Sequence, residues 1–344
     1  MTINNQHNGF DTSSALADWL AATLGIKDYI TEPVYVDKHT PLYFRITNGN
    51  ETRMLIDASL AAADYGGYAK ISQLMRAGQI NAPEVVAEDA RRGFFLLDGM
   101  NNFGTQTYAD ALNETNADEL FRDARATLIK WQLASRPNTL PTCDEASLQR
   151  ELNRFSDNFI AQHMGVTLAS AQKESLTSVL DVIVKANLAQ ANVYVHRDYV
   201  PANLVVSEPE PGILGFQGAM FGAISYDIAS LYKDVQITCD EERVLDGTIR
   251  YWEAAKKASL PVPADFGDFY RDAEWMGLQR HLKLMGTLVR SEESTTLKHI
   301  DEIPRLVQHV RKVGERYVAL FPLIRLFDKL NINDGVERTV GISF

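Results

Sequence analysis

Val195-His196-Arg197-Asp198-Tyr199-Val200-Pro201-Ala202-Asn203-Leu204 is the stretch on which the reading of this chain turns. It lies between two short β-branched runs, Val193-Tyr194-Val195 and Leu204-Val205-Val206, and so reads as a loop joining strands. Within it a histidine, an aspartate and an asparagine follow the spacing H-x-D-x-x-x-x-N. Alone, such a set describes a surface turn as well as a site. Three further features stand in order behind it. They are a strand-turn-strand with its turn at residues 207–212, then Gly215-Phe216-Gln217-Gly218-Ala219, then Ser225-Tyr226-Asp227-Ile228-Ala229-Ser230-Leu231.

Outward from the loop, the chain is 344 residues long, 45% hydrophobic and 23% charged, enough to build two lobes with sizeable cores. Lys and Arg number 34 against 45 Asp and Glu, a formal charge of −11. Nucleic acid and anionic membranes require a basic surface, so neither is an expected partner. Cys143 and Cys239 stand far apart and in no metal-ligand spacing, as expected for a reducing compartment without disulfides or structural zinc. The polar stretch from Met1 to Ser14 shows no signal peptide and no apolar run has spanning length, so the expected location is cytoplasmic.

Leu16, Trp19, Leu20 and Leu24 recur at three- and four-residue steps after Ser13 or Ser14, predicting a capped helix that ends near Gly25. Val34-Tyr35-Val36, Tyr43-Phe44-Arg45-Ile46 and Met54-Leu55-Ile56 predict an antiparallel meander, with a turn at residues 47–50. A helix from Asp64 to Ala77 and strands at residues 83–86 and 94–97 complete a small α+β lobe over residues 1–97. Turn-rich residues 98–104 mark the boundary and a candidate hinge. Residues 98–344 form a mainly helical lobe. Leu120, Phe121, Ala124, Leu128 and Trp131 stripe one helix, a second runs from Asp265 to Arg290, and between them Val193–Val195, Leu204–Val206 and Ile213-Leu214 make a small β patch.

The loop spacing is that of a kinase catalytic loop. Phosphoryl transfer needs a carboxylate beside the acceptor hydroxyl and a neutral oxygen reaching magnesium at the nucleotide phosphates, roles that Asp198 and Asn203 can fill. With the ordered segments behind it, the chain resembles the aminoglycoside phosphotransferase and choline kinase-like family. It is most similar there to the N-acetylmuramate/N-acetylglucosamine kinases of bacterial cell-wall recycling. The H-R-D-Y loop, the F-Q-x-A segment and Glu274-Trp275-Met276-Gly277-Leu278-Gln279-Arg280-His281-Leu282-Lys283 carry that likeness, from about Ala15 to Asp328. The resemblance implies an α+β, two-lobe protein-kinase-like fold. It also implies ATP and Mg²⁺ as cofactors, an amino-sugar hydroxyl as acceptor, and Asp198 as the residue that orients or deprotonates it. Asn203 is then the metal and nucleotide ligand, while His196 and Asp227 support the loop.

The departures weigh as much. The resemblance places the magnesium-binding aspartate at Gly215 and a further aspartate at Gly218, so up to two negative charges are missing where the metal belongs. Pro41, within the phosphate-covering turn at residues 37–42, has no N–H to offer a phosphate. Ile56 stands where many kinases carry a phosphate-pairing lysine, with Arg45 and Arg53 as candidate replacements or as solvated strand residues. Trp275, Gln279 and Lys283 share a helix face beside Arg280; the face reads either as ordinary packing or as a wall of the sugar pocket, with Trp275, Gln279 and Arg280 as substrate contacts. Two readings follow. In one, a substitute carboxylate keeps an active sugar kinase; in the other, the copy is a pseudokinase that binds a small molecule or a protein partner. Asp198 and Asn203 favour the first, whereas Gly215, Gly218 and Pro41 favour the second, which is preferred.

Overall fold

The computed structural model describes residues 14–25, 29–34, 42–49, 51–98, 103–208, 210–237, 239–289 and 301–333. In chain order these form α1 (Ser14–Leu24), β1 (Ile30–Val34), β2 (Leu42–Asn48), β3 (Glu51–Asp57), α2 (Tyr68–Ala77), β4 (Glu84–Asp89), β5 (Phe94–Asp98), β6 (Phe103–Thr107), α3 (Tyr108–Ala111) and α4 (Ala117–Leu133). There follow α5 (Glu145–Arg154), α6 (Ser170–Leu188), β7 (Asn192–Val195), β8 (Leu204–Ser207), β9 (Gly212–Ile213) and β10 (Met220–Ala223). The helices α7 (Tyr226–Tyr232), α8 (Glu241–Lys257), α9 (Phe266–Leu288), α10 (Ile303–Arg316) and α11 (Phe321–Lys329) close the order. Two compact units result, Met1–Thr127 with Ala202–Gly218, and Leu128–Pro201 with Ala219–Phe344. Leu97, where the sequence changes character, falls inside the first unit. Residues 99–102 of the expected hinge lie outside the described residues.

In the first unit, five antiparallel strands are ordered β1-β2-β3-β5-β4. Cross-strand register sets Phe44 opposite Leu55 and Leu55 opposite Leu96, and on the alternate face Tyr43 opposite Ile56 and Ile56 opposite Phe95. The period of two therefore delivers two apolar faces, both buried. Leu16, Trp19 and Leu20 of α1 cover the first of them, packing on Phe44, Ile46, Leu55, Phe94 and Leu96. Gly25, at φ +67°, ends this helix in the left-handed conformation that glycine adopts without steric cost. On the other face Tyr65 and Tyr68 meet Phe95, with ring centroids 5.6 and 5.1 Å away. The helix expected from Asp64 starts later. Residues Ser59–Tyr65 form a 3₁₀ segment and α2 begins at Tyr68, because Gly66-Gly67 interrupts the helix with the two least constrained residues available.

The β patch divides. β7 pairs with β10, whereas β8 pairs with β9 and β6, giving two small sheets, one in each unit. The second unit is organised around α9, capped by the Asp265 side chain, which accepts from the Asp268 N–H. Leu278, Leu282 and Met285 of α9 pack among Leu152, Phe155, Leu180, Val310 and Phe327 from the surrounding helices. At Gly286 the helix runs so close to the chain that a Cβ would lie 2.1 Å from the Arg154 carbonyl oxygen. Backbone cannot step aside as a side-chain tip can, so Gly286→Ala is expected to cost about 1–3 kcal/mol by overpacking, read as a lower denaturant midpoint with an unchanged slope.

Candidate functional site

In the second unit β7 feeds directly into His196-Arg197-Asp198. Arg197 takes φ +71°, a turn that brings two successive backbone N–H groups onto one carboxylate. His196 N–H donates to Asp227 Oδ2 at 2.7 Å and Arg197 N–H to Oδ1 at 2.9 Å. Asp227, in the first turn of α7, is fully buried. Burial pushes its carboxyl up to about 7, against the pull of those two N–H bonds. The His196 ring is also fully buried, with its Nδ1 3.3 Å from the Asp198 N–H and its face edge-on to Tyr199.

The Asp198 side chain is 57% exposed and accepts from Arg280 Nη2 at 3.2 Å. Arg280 itself is buried, and its Nη1 lies 3.9 Å from Asp234 Oδ1. One buried guanidinium thus bridges two carboxylates. Burial pushes Asp234 up to about 6, with Arg280 pulling the other way. A second cluster lies behind Arg197. Glu151 of α5 accepts from Arg197 and stands 3.1 Å from Lys283 Nζ, and Lys283 also reaches the Tyr226 hydroxyl at 3.4 Å. Burial holds the Lys283 ammonium below its ordinary range.

The helix face that reads either as ordinary packing or as a wall of a sugar pocket is buried at two positions. Trp275 is 8% exposed, sits in the core cluster and meets Tyr317 edge-on at 5.7 Å. Gln279 is fully buried, with its Oε1 accepting from Asn187 Nδ2 at 2.7 Å. Both are held by packing inside the unit; of the four residues, Arg280 meets Asp198 and Lys283 meets Glu151. Glu151 and Asp234 are the partners that sequence reasoning missed. Glu151 is a carboxylate on the buried face of α5 and Asp234 follows the end of α7; pairing across the fold gives each its meaning.

Asn203 and Gly215 lie together in the first unit. Leu214 N–H donates to the Asn203 carbonyl at 2.9 Å, and Gly215 follows at φ +71°. A Cβ built on Gly215 would fall 2.6–2.7 Å from the Asn203 side-chain amide, so the glycine's missing side chain is the room that Asn203 uses. Phe216 is fully buried and stacks on Tyr68 at 4.4 Å. Ile56 is fully buried, with Tyr43 and Phe95 as its cross-strand neighbours, so nothing in that slot can pair with a phosphate. Arg53 lies 3.6 Å from Glu51 and 3.9 Å from Asp98, while half-buried Arg45 stands opposite Glu32 and Met54 in the sheet. Pro41 and residues 37–41 of the phosphate-covering turn lie outside the described residues. Magnesium favours carboxylate and phosphate oxygens, and a neutral amide beside a glycine does not fit it. Among the described residues no group of three or more His, Cys, Asp or Glu could hold a metal ion. No described helix is long and apolar enough to cross a membrane.

A five-stranded antiparallel sheet with helical cover, followed by a strand-loop-strand element and a mainly helical remainder, is the kinase-like α+β fold. ADP-bound aminoglycoside phosphotransferase APH(2'')-Ib is similar at a TM-score of 0.60 and 13% identity, over 88% of this chain and 99% of that one. Residues 36–263 match APH, the phosphotransferase enzyme family, and the chain belongs to it. It is 36% identical to the N-acetylmuramate/N-acetylglucosamine kinase of Pseudomonas aeruginosa, over 87% of this chain and 88% of that one. To the protein of the same name from Neisseria meningitidis serogroup B it is 37% identical, over 96% and 98%.

Proposed function

We propose that this chain is an amino-sugar-binding member of its family in which metal-dependent phosphoryl transfer is impaired. In this reading residues 1–97 are the nucleotide side and residues 98–344 the substrate side. Asp198, positioned by Arg280, is the residue that would orient an acceptor hydroxyl, with His196 and Asp227 supporting the loop. The observation that carries the impairment is Gly215, where a side chain is absent and the Asn203 amide fills the space. Loss of a metal anchor forfeits about 3–5 kcal/mol of transition-state stabilisation, or ~10²–10⁴ in rate.

The test is thermal unfolding with ATP, with and without Mg²⁺, since a ligand that binds the native state raises its apparent stability. The expected result is a small rise with ATP that magnesium leaves unchanged. A second reading, an active kinase with a substitute metal ligand, is favoured by the retained Asp198–Arg280 pair. A large magnesium-dependent rise, together with phosphosugar formation, would put that reading in its place.

A further inference from the structure

Among the described residues five other than glycine take a positive φ: Gln79, Asn138, Arg197, Ser259 and Asn331. Four have a local reason. Gln79, Ser259 and Asn331 stand just past the ends of α2, α8 and α11, where the left-handed conformation closes the last turn, and each donates its N–H to a carbonyl three residues back, on Arg76, Lys256 and Asp328. Asn138 carries a short amide side chain, which tolerates this region. Arg197 has neither. It stands two residues past the end of β7, at φ +71°, with a long side chain and no helix end behind it. A residue in such a conformation persists only where its surroundings hold it there.

Arg197 is held at both ends, and both holds lie within the second unit. Its N–H, with that of His196, donates to Asp227 of α7. Its guanidinium pairs with Glu151 of α5, which is 4% exposed and faces a second cation, Lys283 of α9, at 3.1 Å. Lys283 in turn reaches the hydroxyl of Tyr226, the residue before Asp227. A carboxylate buried between two cations is fixed in place, because leaving either would strand a charge inside the fold. The backbone bond thus fixes the N–Cα direction at residue 197, and the anchored side chain restrains Cα–Cβ. Little freedom is left to the third direction, the Cα–C bond along which the chain enters Asp198.

We propose that Glu151 is a positioning residue for Asp198, acting through Arg197: its carboxylate holds the arginine in the left-handed turn that sets where the Asp198 side chain stands. The use made of Asp198 rests on the amino-sugar reading above, whereas the hold on the loop can be measured without sugar, nucleotide or metal. A glycine at 197 would adopt this φ without steric cost and would need no anchor. Alanine would keep the cost and lose the anchor.

Amide hydrogen exchange of the full chain, resolved by residue, reads local opening of the loop. The wild type is compared with R197A, R197G, R197M, R197K and E151Q, and the buried Ile183 amide of α6 reports on the fold at large. In R197A, R197M and E151Q, exchange at His196 and residue 197 is expected to quicken about tenfold or more beyond any change at Ile183. R197K, which keeps the charge, and R197G, which removes the strain, should stay within a few-fold of the wild type, and E151Q should add little in the R197G background. Calorimetric titration with N-acetylglucosamine should follow the same order. R197M as slow as the wild type, R197G as fast as R197A, or an equal quickening at Ile183 would each overturn the proposal. So would a loop that opens in E151Q with sugar affinity unchanged. No sugar binding by the wild type would overturn the amino-sugar reading, and exchange would still decide whether Glu151 holds the loop. Should E151Q fail to fold, R197K against R197M decides, because both leave Glu151 paired with Lys283.

Discussion

Arg280→Ala is expected to destabilise the folded protein by about 3–5 kcal/mol, a large share of the roughly 5–15 kcal/mol by which a domain is stable. The reason lies in what the substitution leaves behind. Arg280 is buried between Asp198 and Asp234, and Asp234 is itself 5% exposed. Removing the guanidinium strands the Asp234 carboxylate without its nearest positive charge, and the cost is the penalty for a lone buried ion. Asp198→Asn should cost far less, because that side chain is more than half exposed and water already screens it. Denaturant unfolding of the two variants separates these cases. An Arg280→Ala midpoint close to that of the wild type would mean the bridge contributes nothing. With Arg280 buried in an ion triad, a loss of sugar binding in Arg280→Ala follows from loss of fold as readily as from a lost contact. Arg280→Lys, which keeps the charge and loses the planar fork, is the better probe of how Asp198 is positioned.

The residues that were legible in advance are those whose pattern has one physical outcome. Tyr43–Ile46 and Met54–Ile56 alternate in a way that only a paired strand satisfies, and β2 and β3 pair over both. Leu16, Trp19 and Leu20 repeat at helical spacing and are buried together. The catalytic-loop spacing and the glycine at 215 are likewise read from sequence alone. The pattern failed where burial was on every side. From Ala273 to Leu282 every residue of α9 is buried, so a four-residue period picks out no face, and Trp275 and Gln279 could not be told from pocket residues by spacing. It failed also where a strand carries no strand composition. Met220-Phe221-Gly222-Ala223 holds few β-formers, yet it pairs with β7 from Asn192 to Val195. An ion pair between residues far apart in sequence, such as Glu151 with Lys283, requires tertiary proximity that no local rule encodes.

Gly215→Asp is expected to lower the stability of the unliganded protein by about 1–3 kcal/mol while making nucleotide binding depend on magnesium. An ordinary glycine replacement tends to stabilise, because it reduces the freedom of the unfolded chain. Here two terms oppose that gain. The residue sits at φ +71°, a left-handed conformation that aspartate tolerates better than most side chains but still at a cost, and its Cβ would come 2.6 Å from Asn203 Cγ. Asn203 must therefore turn away, and in doing so it releases the space into which a carboxylate and a divalent ion can enter. Gly215→Ala carries at least as much backbone strain and the same collision with no carboxylate to show for it. The pair isolates the charge. Thermal unfolding of the wild type and both variants, each with and without ATP and Mg²⁺, should show both variants melting lower than the wild type and Gly215→Asp alone recovering when ATP and magnesium are added together. If Gly215→Asp melts higher than the wild type without ligand, the left-handed backbone and the Asn203 contact do not constrain this position. If it melts lower and never responds to magnesium, the missing carboxylate is not what separates this chain from metal-bound nucleotide.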